Sequence, residues 1–350
     1  MPDRLRLALA TPLDENLCRR VEELEPRVEF VRDHDLLPPQ RHAGDHYGDP
    51  AYTRSPRQQA QFELMLREAD AFYGIPDLSP PLLAQAAAEN PRLRWVQAMA
   101  AGAAPLIKKA GLDHEQVARI AFTTSAGVHA APLAEFAILG VLAGAKHLPV
   151  LQQHQRRHHW APRWLLGRVS GQRVAVVGLG AIGTAVARAL TALGAHVIGV
   201  NRTTRDTSVV AERFGLDDLT RAARDCVALI IALPDARGLH HLVDATVLAA
   251  LAPGATVVNV GRGTALDEAA LVEAAASGQI GFAALDVTEV EPLPEDSPLW
   301  DLPNVLISPH TAALTADEDR LIAELAAENA GRLLDGLPLR NVIAADELLP

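Results

Sequence analysis

Cysteine is nearly absent from this chain: Cys18 and Cys226 are the only two in 350 residues. Two thiols make no disulfide framework, and a reducing compartment such as the cytoplasm fits. Basic residues are also short, 32 Lys plus Arg against 43 Asp plus Glu, for a net charge of −11. That balance argues against general nucleic-acid binding. An anionic ligand must then be drawn in by a local positive group rather than by the overall field. No apolar run is long enough to span a bilayer; the longest, AEFAILGVLAGA, carries Glu135 near its start. The opening MPDRLRLALATP is too short and strand-like for a signal peptide. With 49% apolar residues and ordinary Gly and Pro content, the chain reads as globular, with two domains and no long disordered tract. The expectation is a soluble cytoplasmic protein with no nucleic-acid or membrane partner.

Strand and helix signals alternate from the start. Residues 5–10, 28–31, 71–75, 93–96 and 120–123 read as strands, with helices over 14–24, 58–68 and 81–88. Repeated βα units imply a parallel sheet covered by helices. Residues 33–56, rich in Pro, His, Asp and Gly, read as a surface loop whose His34, His42 and His46 are solvated rather than metal ligands. A long apolar helix follows Gly127. The stretch QQHQRRHHWAPRWLLG then reads as an amphipathic helix or arm packing on another surface.

A second βα series opens at RVAVVGLGAIG. Val174 to Val177 form a short apolar run, long enough for one buried strand, and TAVARALTALG has helical periodicity. Gly178, Gly180 and Gly183 between them stand in G-x-G-x-x-G spacing. A strand entering a helix through such a turn aims backbone N–H groups, here of Ala181 and Ile182, and the positive end of the helix dipole at one spot, which suits a pyrophosphate. After the next strand, HVIGV, dinucleotide folds usually carry an acidic residue that binds the ribose hydroxyls. This chain has Asn201, Arg202, Thr203, Thr204 and Arg205 instead. Guanidiniums and hydroxyls would hold a 2′-phosphate, so the reading is NADP(H) with NAD(H) possible; the alternative is a solvated turn with incidental arginines. VALIIALP is a further buried strand, bringing Leu233 and Pro234 beside the expected crevice.

Three charged residues stand beyond later strand ends: Arg262 between two glycines, Glu291 and His310. Together they suit hydride transfer to a 2-oxo acid. Arg262 would clamp the carboxylate and polarise the carbonyl. His310 would donate a proton to the carbonyl oxygen, and Glu291 would fix the tautomer of His310. Taken singly, each of the three is as readily a solvated loop residue.

The stretches VAVVGLGAIG, NVGRGTALDEAAL, ALDVTEVEPLPEDSPLW and LPNVLISPHTAALT, with a weaker TTSAGVHAAPLAEF, resemble the D-isomer-specific 2-hydroxyacid dehydrogenases from about Trp95 onward. The resemblance implies catalytic Arg262, Glu291 and His310, with substrate-carboxylate contacts from the backbone at Ala101 and Gly102. It also implies that Asp286 orients the nicotinamide carboxamide, that Val260 contributes its carbonyl nearby, and that the protein is a homodimer joined through the dinucleotide domains. NRTTR is similar to NADP-preferring members, among them glyoxylate/hydroxypyruvate reductases. The implied architecture is two Rossmann-like, doubly wound parallel-sheet α/β domains with a cleft between them. Residues 1–127 and 316–350 would form a flavodoxin-like substrate domain and residues 128–315 the dinucleotide-binding domain. The reading is an NADP(H)-dependent reductase of small 2-oxo acids, with no metal. A dinucleotide-sensing, corepressor-like interaction protein on the same fold is the alternative.

Overall fold

The computed structural model describes residues 4–202, 209–234, 236 and 238–349. It divides into two compact units, Met1–His129 with Leu314–Pro350, and Ala130–Ala313. Each is an α/β unit built on one parallel sheet.

The first unit's sheet holds β1 (Leu5–Leu9), β2 (Val28–Val31), β3 (Ala71–Tyr73), β4 (Trp95–Gln97) and β5 (Ala121–Thr123). Their order is β2-β1-β3-β4-β5, with every pair parallel. The inner strands are buried on both faces, which is why they read as apolar runs rather than as alternation. Helices begin where side chains can cap them: the Asp14 carboxylate accepts from the Asn16 N–H, and Ser55 with Gln58 forms a capping box.

The helix Glu318–Leu334 packs into this unit through a buried polar network. Gln97 Oε1 accepts from Thr123 Oγ1 at 2.9 Å and from Asn329 Nδ2 at 3.2 Å, and Trp95 Nε1 donates to Thr123 Oγ1 at 2.8 Å. All four residues are fully buried, so each polar group must find its partner inside the protein.

Two short helices, Ala104–Lys108 and His114–Arg119, lie between β4 and β5, where the sequence shows no sustained periodicity. The reading of residues 33–56 is corrected at one residue. His46 is not solvated: its side chain is 13% exposed, with Nε2 3.4 Å from Glu318 Oε1 and Nδ1 3.9 Å from Asp319 Oδ1. His129 Nε2 stands 3.0 Å from the same Glu318 oxygen. Burial alone would raise the Glu318 carboxyl, but hydrogen bonds from His129 and His46 outweigh it and hold the group down at about 2. This contact joins residues 272 positions apart, which local composition does not encode.

The second unit's sheet holds β6 (Arg173–Val177), β7 (His196–Val200), β8 (Glu212–Phe214), β9 (Ala228–Ile231), β10 (Ala255–Asn259), β11 (Ile280–Leu285) and β12 (Val305–Ile307). The order β12-β11-β10-β9-β6-β7-β8 is parallel throughout. The chain leaves β6 toward β7 on one side and returns to β9 on the other. That reversal beside β6 is the switch point where α/β sheets bind ligands. The helix Ala130–Ala145 covers β10 and β11, with Gly140 against Val258 and Ala284. The helix Leu148–Arg156 follows, and beyond it Trp160 and Leu165 are 98% and 93% exposed. No single helix among the described residues is long and apolar enough to cross a membrane.

Candidate active site

Because the strands of the second sheet are parallel, their C-terminal ends share one edge, and that edge carries most of the candidate residues. At β6 the chain turns through Gly178, whose φ of +93° is left-handed. A side chain at Gly183 would place its Cβ 1.7 Å from the Gly178 carbonyl oxygen, so only glycine lets the helix start this close to the strand. Gly180, by contrast, faces open space. The helix Ala181–Ala192 begins there with no side-chain cap, leaving the backbone donors of its first turn, Ala181 and Ile182 among them, to an external acceptor. This cradle fits a pyrophosphate.

At the end of β7, the Asn201 N–H donates to the Phe214 carbonyl, and Arg202 is exposed. Thr203, Thr204 and Arg205 lie outside the described residues. At β9, Leu233 is buried and Pro234 exposed.

The loop after β10 is clamped on both sides of Arg262. A Cβ on Gly261 would lie 2.6 Å from the Leu233 backbone N and O, and one on Gly263 1.9 Å from the Thr288 carbonyl oxygen. The glycines thus let the Arg262 turn sit between the loops that follow β9 and β11. Asn259, fully buried, closes it further: its side chain accepts from the Gly261 N–H and donates to the Arg262 carbonyl, both at 3.0 Å. Sequence reasoning passed over Asn259, although it stands in the same NVGRGT run. Arg262 Nη1 donates to the Gly261 carbonyl at 2.7 Å and, among the described residues, pairs with no carboxylate. Val260, buried, lies just before this turn.

Asp286 directly follows β11 and is 2% exposed. Its Oδ1 accepts from Ser308 Oγ at 2.8 Å and from the backbone N–H groups of Thr311 and Ala312 at 3.0 and 2.9 Å. Three donors on a buried carboxylate oxygen tie down the turn that carries His310, whose φ of 53° is left-handed. The backbone of His310 adds a bond to the Asp286 carbonyl at 2.9 Å. This anchoring role is absent from the sequence reading, since no motif spacing links Asp286 to Ser308. His310 Nδ1 meets Glu291 Oε2 at 2.8 Å, while Glu291 Oε1 accepts from the Thr288 N–H at 3.2 Å. The pairing occupies Nδ1 and leaves Nε2 as the free ring nitrogen.

The second unit therefore brings Glu291 and His310 into direct contact and seats Arg262 on the neighbouring strand end. Ala101 and Gly102 belong to the first unit, in an exposed turn between β4 and the helix Ala104–Lys108.

The comparisons with known proteins point the same way. The family described as D-isomer specific 2-hydroxyacid dehydrogenase, NAD binding domain, matches residues 138–312. A glyoxylate reductase from Aeropyrum pernix is 32% identical over 302 residues, covering 82% of this chain and 87% of its own. This chain belongs to the D-isomer-specific 2-hydroxyacid dehydrogenases. A glyoxylate/hydroxypyruvate reductase from Arabidopsis thaliana is 32% identical to the dehydrogenase over 246 residues, 67% of this chain and 74% of that one. A family member from Xanthobacter autotrophicus Py2, solved in complex with NADPH and MES, is 28% identical, covers 99% of both chains and superposes with a TM-score of 0.75. The dehydrogenase is thus an oxidoreductase with a dinucleotide-binding unit.

Proposed function

We propose that this dehydrogenase reduces small 2-oxo acids, of the glyoxylate and hydroxypyruvate class, to D-2-hydroxy acids with NADPH as the preferred cofactor. The contact between His310 and Glu291, on the same sheet edge as an Arg262 that pairs with no carboxylate among the described residues, carries the reading. Relatives named for glyoxylate and hydroxypyruvate reduction support the substrate class.

Gly178, Gly180, Ala181, Ile182 and Gly183 would hold the pyrophosphate, and Leu233, Pro234 and Val260 would line the nicotinamide side. Asn201, Arg202, Thr203 and Arg205 would take the adenosine 2′-phosphate. The carboxylate oxygen Oδ2 of Asp286, which accepts no hydrogen bond from the described residues, would take the carboxamide. When bound, the cofactor supplies the hydride. Arg262 pairs with the substrate carboxylate and draws electron density toward the carbonyl oxygen. His310, with Nδ1 held by Glu291, gives the proton on Nε2 to that oxygen and recovers one from solvent. Ala101 and Gly102, in the exposed turn after β4, would contribute backbone contacts to a substrate carboxylate. The exposed Trp160 and Leu165 support a homodimer formed through the arm of the dinucleotide unit.

The test is NADPH and NADH oxidation against a panel of glyoxylate, hydroxypyruvate, pyruvate, phenylpyruvate and branched 2-oxo acids. Turnover with the short acids and a preference for NADPH is expected. Tight cofactor binding without turnover of any acid would overturn the proposal. His310→Ala and Arg262→Ala are each expected to abolish most turnover while leaving NADPH binding intact.

A further inference from the structure

The first unit contains an open cavity of about 630 Å³ along the outer side of the edge strand β5. Its walls are apolar: Val117, Phe122, Leu333, Leu337, Val342 and Leu348 are among them. The segment 341–349 forms one wall by pairing with the edge strand, where the Ile343 N–H donates to the Phe122 carbonyl at 2.8 Å and Thr123 bridges Val342. Two arginines and no acidic residue line the space.

The two arginines differ. Arg119 is fully committed, its Nη1 donating to the Asn90 and Leu93 carbonyls and its Nη2 to that of Ala87. Arg94 is not. Its Nη2 is buried with no hydrogen-bond partner, and its guanidinium makes no ion pair among the described residues. Arg94 precedes β4, at the opposite end of that strand from Ala101 and Gly102. Its backbone is fixed at both sides, the N–H to the Asp70 carbonyl and the C=O to the Ala121 N–H. A guanidinium cannot shed its charge, and a buried N–H donor without an acceptor is rare in a folded protein. In a chain of net charge −11, Arg94 is a half-buried cation with no carboxylate partner among the described residues, and it lines a space whose other walls include Leu, Val and Phe.

We propose that this cavity is a binding site for a small amphipathic carboxylate, its head on Arg94 and its apolar body against Leu333, Leu337, Val342 and Leu348. The volume falls within the range of small-molecule sites, which pair mostly apolar walls with a few fixed polar groups. A fatty-acid chain of medium length matches both the single charge and the apolar walls. The site is distinct from the one proposed for catalysis, since its residues all belong to the first unit and none flanks Ala101 or Gly102.

Octanoate is the probe, with octanamide as its uncharged isostere, and binding to the full chain is read by calorimetry and by the shift in unfolding midpoint. Octanoate is expected to bind and raise the midpoint in the wild type and in Arg262→Met, which removes the carboxylate clamp proposed for the other site. Octanamide and Arg94→Met are each expected to weaken binding about ten- to hundredfold, the loss of one charge-assisted contact. Ala345→Trp, at an exposed position on the cavity wall, is expected to block binding with Arg94 intact, so the result does not depend on one variant folding. Equal binding of octanamide, unchanged binding in Arg94→Met or in Ala345→Trp, dependence on Arg262, or no binding at millimolar octanoate would each overturn the proposal.

Discussion

If Asp286 holds the His310 turn, removing its carboxylate should cost turnover in proportion to the bonds lost. Asp286→Ala deprives two backbone N–H groups and the Ser308 hydroxyl of their acceptor. At a net contribution of about 1–1.5 kcal/mol for each, the turn loses roughly 3–4.5 kcal/mol of ordering energy. The left-handed backbone of His310 adds to the imbalance, because a non-glycine residue there relaxes once its anchors are gone. Should that energy appear in the barrier, kcat falls by about two to three orders of magnitude. Two milder variants grade the argument. Ser308→Ala removes a single bond of about 1 kcal/mol and should lower kcat about fivefold. Asp286→Asn keeps an acceptor but loses its charge, and should fall between the two. The assay is steady-state reduction of the best 2-oxo acid at saturating NADPH, with the unfolding midpoint recorded in parallel. An Asp286→Ala enzyme with wild-type kcat, or a Ser308→Ala defect as large as that of Asp286→Ala, would refute the reasoning.

Three further outcomes are expected. Gly263→Ala forces a Cβ into the Thr288 backbone, which no rotamer change relieves, and should lower stability by about 3 kcal/mol, read as a fall in urea midpoint. Arg202→Ala should weaken NADPH about tenfold or more while leaving NADH within about twofold, measured as separate cofactor KM values. Glu318 is held below its ordinary range, so its contribution is fully present above about pH 4.5 and is lost as pH falls toward about 2. Glu318→Gln should therefore be less stable than wild type at neutral pH, by on the order of 2 kcal/mol, and the two should converge in acid unfolding experiments.

The inner strands were legible because a strand buried on both faces is written as an uninterrupted apolar run, as in Val174 to Val177. Two edge strands were not. β8 is a three-residue stretch with an exposed Arg213, and β12 lies within a proline-rich passage with Leu306 exposed, so neither carries a signal above its surroundings. Arg262, Glu291 and His310 could be singled out because charge beyond a strand end is conspicuous in an apolar sequence. The groups that fix them were silent. Asn259 is one more polar residue at the end of a strand, and the bond from Ser308 to Asp286 crosses 22 positions with no periodicity to announce it. His46 shows the same limit from the other side. A histidine in a Pro- and Gly-rich stretch reads as solvated until the fold brings Glu318 and Asp319 to it.

The first unit is assembled from both ends of the chain, and this has a consequence for how the protein comes off the ribosome. Gln97 waits for Asn329, 232 residues later, before its buried carbonyl oxygen is fully partnered. The edge of β5 waits for Ile343 to cover it. The second unit, continuous from Ala130 to Ala313, has all of its strands in hand well before that. Synthesis therefore leaves the first sheet, whose strands are all made by Thr123, with its β5 edge uncovered for the time taken to translate the intervening unit, an open strand edge of the kind that recruits wrong partners. The closing segment acts as a latch on the order of assembly: the unit made first is the one completed last.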